Sequence, residues 1–158
     1  ERSWHVERFG ILCQKIFKAD GKKLVLLGTK SEEELLNRIK SYCPPGKVKV
    51  TPVMNLRVLA GVLKKSRLFV GNDSGMMHLA AMVGTPVVGI FGPGNPDTTG
   101  PYMPPENCEI LTQNYSCSPC RQRFFKECKP SPHNNPYCLE DITVKNVYEA
   151  IHRLMRRA

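Results

Sequence analysis

A short polar stretch in the middle of the chain has the residue types that can bind a phosphate. An apolar run is followed there by Gly71-Asn72-Asp73-Ser74-Gly75 and then by Met76, Met77 and His78. An apolar strand that ends in a small-residue turn and opens directly onto a helix presents unsatisfied N–H groups and a partial positive charge to an anion. Gly75 allows close approach to the backbone, and Ser74 adds a hydroxyl. We therefore predict a diphosphate site over residues 73–78.

The carboxylate and the imidazole in this stretch each have two explanations. Asp73 would repel a phosphate at contact distance, so as a binding residue it should accept hydrogen bonds from sugar hydroxyls. Alternatively Asp73 or Ser74 is the N-cap of the following helix, which is worth about 1 kcal/mol. His78 lies one turn beyond Ser74 on the same helix face, where it either approaches the ligand or packs as an ordinary hydrogen-bonded side chain.

Three other nucleotide and hydrolase motifs do not fit the sequence. It contains neither the P-loop pattern G-x-x-x-x-G-K-[ST] nor the dinucleotide fingerprint G-x-G-x-x-G. The hydrolase pattern G-x-S-x-G is not met either, because residues 71–75 have one residue too many before the serine. If residues 73–78 bind phosphate, they therefore do so through a turn of another kind.

Seven cysteines form a second group that could do chemistry. Their odd number argues against a fully paired disulfide scaffold. The last four have a C-x-x-C pair and two further thiols, and four thiolates at such spacing can surround a tetrahedral zinc ion: Cys117, Cys120, Cys128 and Cys138. Structural zinc, an iron–sulfur cluster, disulfide bridges and free structural thiols are the alternatives. In each case we expect this segment to be structural and not catalytic.

Composition indicates an ordinary globular chain with an anionic partner. Of 158 residues, 41% are hydrophobic and 23% charged, and the formal net charge is +9. An excess of basic residues suits phosphate, nucleic acid or an acidic membrane surface, or it reflects a solvated basic tail. The opening residues do not resemble a secretion signal. Because the sequence starts without Met, we suspect an excised piece of a longer protein.

The elements that position the turn alternate between helices and short apolar strands. Hydrophobic spacing predicts helices over about 4–19, over 75–83 and over 143–157. A further helix is capped by Ser31 and Glu34 and lined by Leu35, Leu36 and Ile39. Asn55 can cap another, whose inner face carries Leu56, Leu59, Val62 and Leu63. Predicted strands are 23–27, around 48–50, 67–71, 86–91 and 109–112. Strands that are apolar throughout and separated by helices favour a parallel sheet covered on both faces. We predict an α/β, Rossmann-like doubly wound core over 1–112, a Pro/Cys-rich excursion over 113–140 and a closing helix over 141–158.

Three stretches together resemble glycosyltransferase family 9, whose typical members are heptosyltransferases. They are residues 71–81, residues 84–93 (Gly84-Thr85-Pro86-Val87-Val88-Gly89-Ile90-Phe91-Gly92-Pro93) and Thr99-Gly100-Pro101-Tyr102. Near the start, Arg2-Ser3-Trp4 and Arg8-Phe9 resemble the entry to that family's C-terminal domain. The resemblance covers about 1–112, and the cysteine tail is similar to that of some members.

The resemblance implies a fold, an activity and a set of donor-binding residues. It implies the C-terminal, donor-binding half of a GT-B fold, with an acceptor-binding N-terminal domain that these 158 residues lack. It implies inverting transfer of a heptose from an ADP-heptose-like donor to a lipopolysaccharide-core acceptor, without a catalytic metal. The implied donor-binding residues are Arg2, Met54, Asp73, Ser74, Gly75, Met76, Met77 and His78. Arg2 would bind phosphate, and Met54 would cover the adenine or simply fill the core.

The sequence departs from the family pattern at one position. Lys30 stands where the family carries a ribose-binding Glu, for which Glu32 or Glu33 could substitute, so the nucleotide is not determined. We find no catalytic base here and expect the chain to bind donor without transferring it.

Two other functions compete with this one. The first is a non-catalytic nucleotide- or nucleic-acid-binding module with a structural zinc site, although the basic residues are scattered and nucleic acid is not expected. The second is a sugar-nucleotide epimerase. We expect a cytoplasmic enzyme, with attachment to the inner face of the inner membrane as an option.

Overall fold

The computed structural model describes residues 3–51, 55–118, 120 and 128–157. In chain order its helices are α1 (Val6–Asp20), α2 (Glu33–Ser41), α3 (Leu56–Lys64), α4 (Gly75–Met82), α5 (Pro96–Thr99), α6 (Tyr137–Glu140) and α7 (Val144–Arg157). The strands are β1 (Leu24–Leu27), β2 (Val48–Thr51), β3 (Phe69–Asn72), β4 (Val87–Ile90) and β5 (Cys108–Leu111). Two short 3-10 turns precede α2 and β5. The chain divides into two units, His5–Leu59 and Glu1–Trp4 with Ala60–Ala158.

The smaller unit, His5–Leu59, packs α1 and α2 over a two-stranded parallel sheet. β1 pairs with β2 so that Leu24 lies opposite Val48. One core cluster of this unit contains two thiols beside aliphatic side chains: Cys13, Ile39, Cys43 and Val48. Each strand is four residues long.

Two local predictions for this unit are wrong in detail. The capping box that begins the second helical segment belongs to Thr29 and Glu32, because the Glu32 carboxylate accepts from the Thr29 N–H and hydroxyl, each at 2.7 Å. It was predicted two residues later. Leu35 is 41% exposed, so Leu36 and Ile39 alone form the buried face of α2. Residues 30–35, in the 3-10 turn and at the start of α2, are all exposed. The apolar spacing of the sequence did not distinguish the exposed Leu35 from the buried Leu36.

The larger unit is built on a three-stranded parallel sheet in the order β3-β4-β5. All four residues of the central strand β4 are buried, as expected for a strand covered on both faces. α7 packs against β4 and β5 and buries one stripe of side chains: Val147, Ala150, Ile151 and Leu154. The parallel pairing and the alternation of strands with helices confirm the α/β class.

Two polar side chains of the larger unit, Thr85 and Glu109, find partners within it. Thr85 is 2% exposed, and its hydroxyl donates to the Leu63 carbonyl at 2.7 Å. The carboxylate of Glu109 receives Arg153 at 3.1 Å and Arg157 at 2.8 Å. Two of the three arginines near the C-terminus therefore pair within the fold, which accounts for part of the basic tail as an internal ion-pair network.

Helix α3 begins as predicted but exposes more of its surface. The Asn55 side chain accepts from the Val58 N–H at 2.9 Å, which confirms the predicted cap. Leu63 is 1% exposed, whereas Leu56 is 68% exposed, so the expected inward position of Leu56 is wrong. The apolar stripe of α3 is thus buried only toward its C-terminal end.

The predicted subdivision at residues 112 and 140 stays a prediction. Within the described residues, no helix has both the length and the apolar character that crossing a bilayer requires.

Candidate functional site

The turn between β3 and α4 lies at the carboxyl edge of the parallel sheet. The N–H of Asp73 donates to the Ile90 carbonyl at 3.2 Å, which extends the pairing of β3 with β4 by one residue. Ser74 is extended, with φ −158° and ψ 164°, and Gly75 begins the helix. Ligands of open α/β sheets bind outside the carboxyl ends of the strands, so the fold places residues 73–78 where a ligand is expected.

Ser74 occupies the N-cap position, but its side chain makes no capping hydrogen bond. Asp73 stands one residue earlier. Ser74 caps the helix only through its carbonyl oxygen, which accepts from the N–H groups of Met77 at 3.1 Å and His78 at 3.4 Å. The explanation of Ser74 as a side-chain cap is therefore not realised. Because the first N–H groups of any helix lack an intrahelical acceptor, Gly75 and Met76 present donors at this end of α4.

The helix start is open to an approaching group. Gly75 is exposed, and a Cβ placed on it would meet no atom within 4 Å. A ligand oxygen can therefore come directly to the backbone amides. The partial positive charge at a helix N-terminus favours an anion in that position.

Gly94, in the loop after β4, holds the other side of the turn. A Cβ on Gly94 would lie 2.6 Å from the Oδ2 atom of Asp73 and 3.3 Å from the ring of Phe91. The carboxylate of Asp73 thus lies directly against the Gly94 backbone. Gly94 had no predicted role, although the repeated glycine in Gly92-Pro93-Gly94 is a sequence signal for such a close approach.

Trp4 anchors the turn from the opposite end of the chain. Its backbone N–H donates to the Oδ1 atom of Asn72 at 2.9 Å, and its indole N–H donates to the Ile142 carbonyl at 2.7 Å. Trp4 is 1% exposed, and its indole hydrogen bond is buried while the bond to Asn72 is partly buried. Asn72, which sequence reasoning left without a role, joins this anchor to the residue before Asp73. A polar amide at the end of an apolar strand was the available signal.

The predicted site residues on the first turn of α4 differ in how far they are buried. Met76 and His78 are half-buried on the first turn of α4. Met77 is fully buried, and its sulfur lies 3.2 Å from a Cβ placed on Gly89. The Met77 side chain fills the core beneath the turn, so its predicted part in donor binding stays a prediction for its backbone. Arg2 and Met54 lie outside the described residues.

The four candidate metal ligands lie in a different segment of the chain, and this segment packs against the loop that contains Gly94. All four cysteines are described, and Cys117 is exposed while the other three are half-buried. Leu139, the neighbour of Cys138, is fully buried. Its Cγ atom would lie 2.4 Å from a Cβ on Gly92, two residues before Gly94. The cysteine segment therefore supports the loop that contacts Asp73.

Comparison with known proteins settles the family. The family model for glycosyltransferase family 9 (heptosyltransferase) matches residues 1–129. The chain belongs to glycosyltransferase family 9. Lipooligosaccharide heptosyltransferase 2 of Campylobacter jejuni subsp. jejuni serotype O:2 is 31% identical to this family 9 chain over 138 residues. That match covers 85% of the chain and 41% of the relative, so the chain spans about two fifths of that relative's length.

Solved family 9 structures share the fold of the chain. The glycosyltransferase family 9 protein of Veillonella parvula superposes with a TM-score of 0.78 at 24% identity, over 98% of this chain and 42% of its own. The Escherichia coli heptosyltransferase WaaC, solved with ADP, gives 0.70 at 24% identity over 97% and 40%. The family 9 chain therefore has the Rossmann-like architecture of one half of a GT-B fold, as predicted.

Proposed function

We propose that this family 9 chain binds a nucleotide-diphosphate sugar, of the ADP-heptose class, for transfer to a lipopolysaccharide-core-type acceptor. The observation that carries the proposal is the open N-terminus of α4 beside the Asp73 carboxylate. It offers amide donors for a diphosphate and, next to them, an acceptor for sugar hydroxyls. The names of the relatives support the donor class, since the similar curated protein is a heptosyltransferase and WaaC was solved with ADP.

The proposed contacts divide the donor into two parts. The N–H groups of Gly75 and Met76 and the hydroxyl of Ser74 hydrogen-bond the diphosphate, with His78 one turn away. The Asp73 carboxylate, set against Gly94, accepts hydrogen bonds from the sugar. Because a carboxylate repels phosphate, these two roles must be spatially separate. Arg2, through its guanidinium fork, and Met54, over the nucleotide base, keep their proposed roles although they lie outside the described residues.

The proposed reaction is an inverting displacement without a catalytic metal. An acceptor hydroxyl attacks the anomeric carbon, the bond to the diphosphate oxygen breaks, and a base takes the hydroxyl proton. This chain stabilises the departing diphosphate through the α4 amides. We propose that the base and the acceptor are held by the part of the relatives that the chain does not cover. The chain alone should then bind donor without transferring it, in the cytoplasm where nucleotide sugars are available.

Calorimetric titration tests the division of roles. ADP, UDP and GDP are titrated first, followed by their sugar conjugates, into wild type, Asp73→Ala and Gly75→Ala. Asp73→Ala should weaken a conjugate roughly tenfold or more, as expected for one lost hydrogen bond to a charged group, and should spare the bare diphosphate. Gly75→Ala should weaken both, because its methyl group occupies the space in front of the amides.

A glycine outside the turn provides the matched control. Gly61 lies in the exposed part of α3, where a Cβ also meets no atom within 4 Å. Gly61→Ala should leave all affinities unchanged. Equal binding of diphosphate by wild type and Gly75→Ala would overturn the assignment of the turn, and an equal loss of ADP and ADP-sugar in Asp73→Ala would overturn the sugar contact. The nucleic-acid-binding alternative is not favoured, because the family match covers the whole proposed site.

A further inference from the structure

A short hairpin lies between Cys128 and Cys138, just before α6. Pro130 and Pro136 form an antiparallel bridge, and the Ser131 N–H donates to the Asn135 carbonyl at 2.8 Å. Asn134 closes the hairpin in the left-handed region at φ 60°. The bridge is isolated and α6 begins at Tyr137, so Cys128 lies two residues before one end of the bridge and Cys138 two residues after the other.

Side-chain hydrogen bonds fasten this hairpin to the helix that carries Cys138. The hydroxyl of Ser131, which is 5% exposed, donates to the Glu140 carboxylate at 3.0 Å. The ring of His133 meets the other oxygen of the same carboxylate at 3.0 Å. Glu140 lies in α6, two residues after Cys138. The hairpin and α6 thus hold their cysteines in a defined arrangement.

The C-x-x-C pair is fastened to the end of the same helix. A turn closed by the Ser118 N–H and the Tyr115 carbonyl, at 2.9 Å, contains Cys117. The Tyr115 hydroxyl donates to the Asp141 carboxylate. The Gln113 amide donates to the Asp141 carbonyl at 3.2 Å. Asp141 directly follows α6, so these contacts bring the first thiols to the segment that holds Cys138.

The contacts made by Glu140 and Asp141 bring cysteines 21 residues apart in the chain toward one place. The Glu140 carboxylate holds the hairpin that follows Cys128. Asp141 holds the segment that leads to Cys117 through Gln113 and Tyr115.

We propose that this convergence is a structural zinc site, in which one Zn²⁺ ion is bound by the thiolates of Cys117, Cys120, Cys128 and Cys138. Four sulfur ligands satisfy tetrahedral zinc and leave no open position, so the ion has a structural and not a catalytic role. Within the described residues no three of these sulfurs already lie within 4.8 Å of one another. Zinc binding is therefore expected to draw the four sulfur atoms closer together.

The chemistry favours zinc over disulfides. Binding converts Zn²⁺ and four thiols into a tetrathiolate with a charge of about −2 and releases about four protons, without any oxidant. Disulfide formation would need an electron acceptor and would pair thiols two by two. The sequence between the second and fourth cysteine supplies basic residues to offset that charge, against the single acid Glu127: Arg121, Arg123, Lys126 and Lys129.

The proposed zinc site is linked through Leu139 to the loop beside the Asp73 turn. Leu139 follows Cys138 directly and packs against Gly92. Gly92 belongs to the loop whose Gly94 lies against Asp73. A zinc ion that holds α6 would hold this loop in place. The zinc proposal does not depend on the proposed donor, since metal content is measured without it.

Metal analysis on the full chain tests the site. Protein purified under anaerobic, reducing conditions should contain one zinc per chain, and Cys128→Ser or Cys138→Ser should lower this to near zero. Cys108→Ser is the matched control, because Cys108 is a half-buried thiol in β5 and not one of the four. Cobalt substitution should give the absorption of tetrahedral thiolate coordination in wild type and in the control.

Circular dichroism separates loss of the site from loss of the fold. If a variant does not fold, zinc is instead removed from wild type with a chelator and restored, and its return with stoichiometry of one supports the site. Metal-free protein with four free thiols would overturn the proposal. Disulfides found by mass spectrometry in the anaerobic sample, or iron with acid-labile sulfide, would overturn it as well.

Discussion

The Oδ1 atom of Asn72 accepts a hydrogen bond of 2.9 Å from the backbone N–H of Trp4, 68 positions earlier in the chain. Trp4 is 1% exposed, and this hydrogen bond is partly buried. The contact fixes the end of β3 immediately before Asp73. It therefore joins the fold's stability to the placement of the proposed sugar-binding carboxylate.

Removal of the Asn72 amide should destabilise the fold. Asn72→Ala leaves the Trp4 N–H buried without its acceptor, which costs about 1–3 kcal/mol. Denaturant unfolding followed by Trp4 fluorescence measures the loss, since Trp4 is the single tryptophan. Asn114→Ala, at an exposed asparagine, is the control and should change stability by less than about 0.5 kcal/mol. Equal effects of the two substitutions would contradict the role of the anchor.

Gly94→Ala should impair sugar recognition more than folding. The added methyl group would meet the end of the Asp73 side chain at 2.6 Å, and a carboxylate can rotate away from it. We expect affinity for the sugar conjugate to fall roughly tenfold, with bare diphosphate binding retained. Calorimetry beside Gly61→Ala measures both. Unchanged conjugate binding would show that the orientation of Asp73 does not matter.

Gly92→Ala should destabilise the protein by overpacking. A Cβ at this position would lie 2.4 Å from the Cγ atom of the fully buried Leu139, and such crowding costs about 1–3 kcal/mol. Leu139→Ala on its own leaves a cavity, at a cost of about 2–5 kcal/mol. Because each change relieves the other, the double variant should lose less than the sum of the two. Strict additivity in thermal or denaturant unfolding would contradict the contact.

Cys13 should resist alkylation in the folded state. Burial, with a smaller effect of Cys43, raises the pKa of its thiol from 9.0 to about 12. The reactive thiolate is therefore about a thousandfold less populated in the folded chain near neutral pH, because each pKa unit is a factor of ten. Alkylation followed by peptide mapping, with and without denaturant, measures the protection. Equal labelling in both conditions would show that the Cys13 core opens freely.

Tyr115 should make stability sensitive to alkaline pH. Its hydrogen bond to Asp141 is the main cause that raises the pKa of the phenol from 10.0 to about 12. Below about pH 10 both folded and unfolded states keep the proton and the stabilisation is complete. As pH rises from 10 toward 12, the unfolded state loses its proton first, so the contribution declines.

Comparison with Tyr115→Phe isolates this titration. Wild type should lose stability relative to the variant between about pH 10 and pH 12, and should show a late phenolate absorbance change that the variant lacks. Denaturant unfolding at several alkaline pH values, with absorbance titration, makes the comparison. A constant difference in stability across this range would contradict the hydrogen bond to Asp141.

Much of the local structure could be predicted from residues that are near one another in the chain. The spacing of apolar side chains predicted α1, α4 and α7, and short apolar runs predicted the five strands. The Asn55 cap was predicted because a cap and its donor lie three residues apart. The turn at 71–75 and the family were identified from contiguous motifs for the same reason: the interactions that shape them are local.

The tertiary structure alone decided which side chains face the site and which fill the core. Met77 has the same residue type as Met76, yet it packs against Gly89 while Met76 stays half-buried. The approach of Gly94 to Asp73 and the bond from Trp4 to Asn72 join residues that are distant in the chain. Such contacts depend on how strands and helices pack in three dimensions, and no spacing within one segment specifies them.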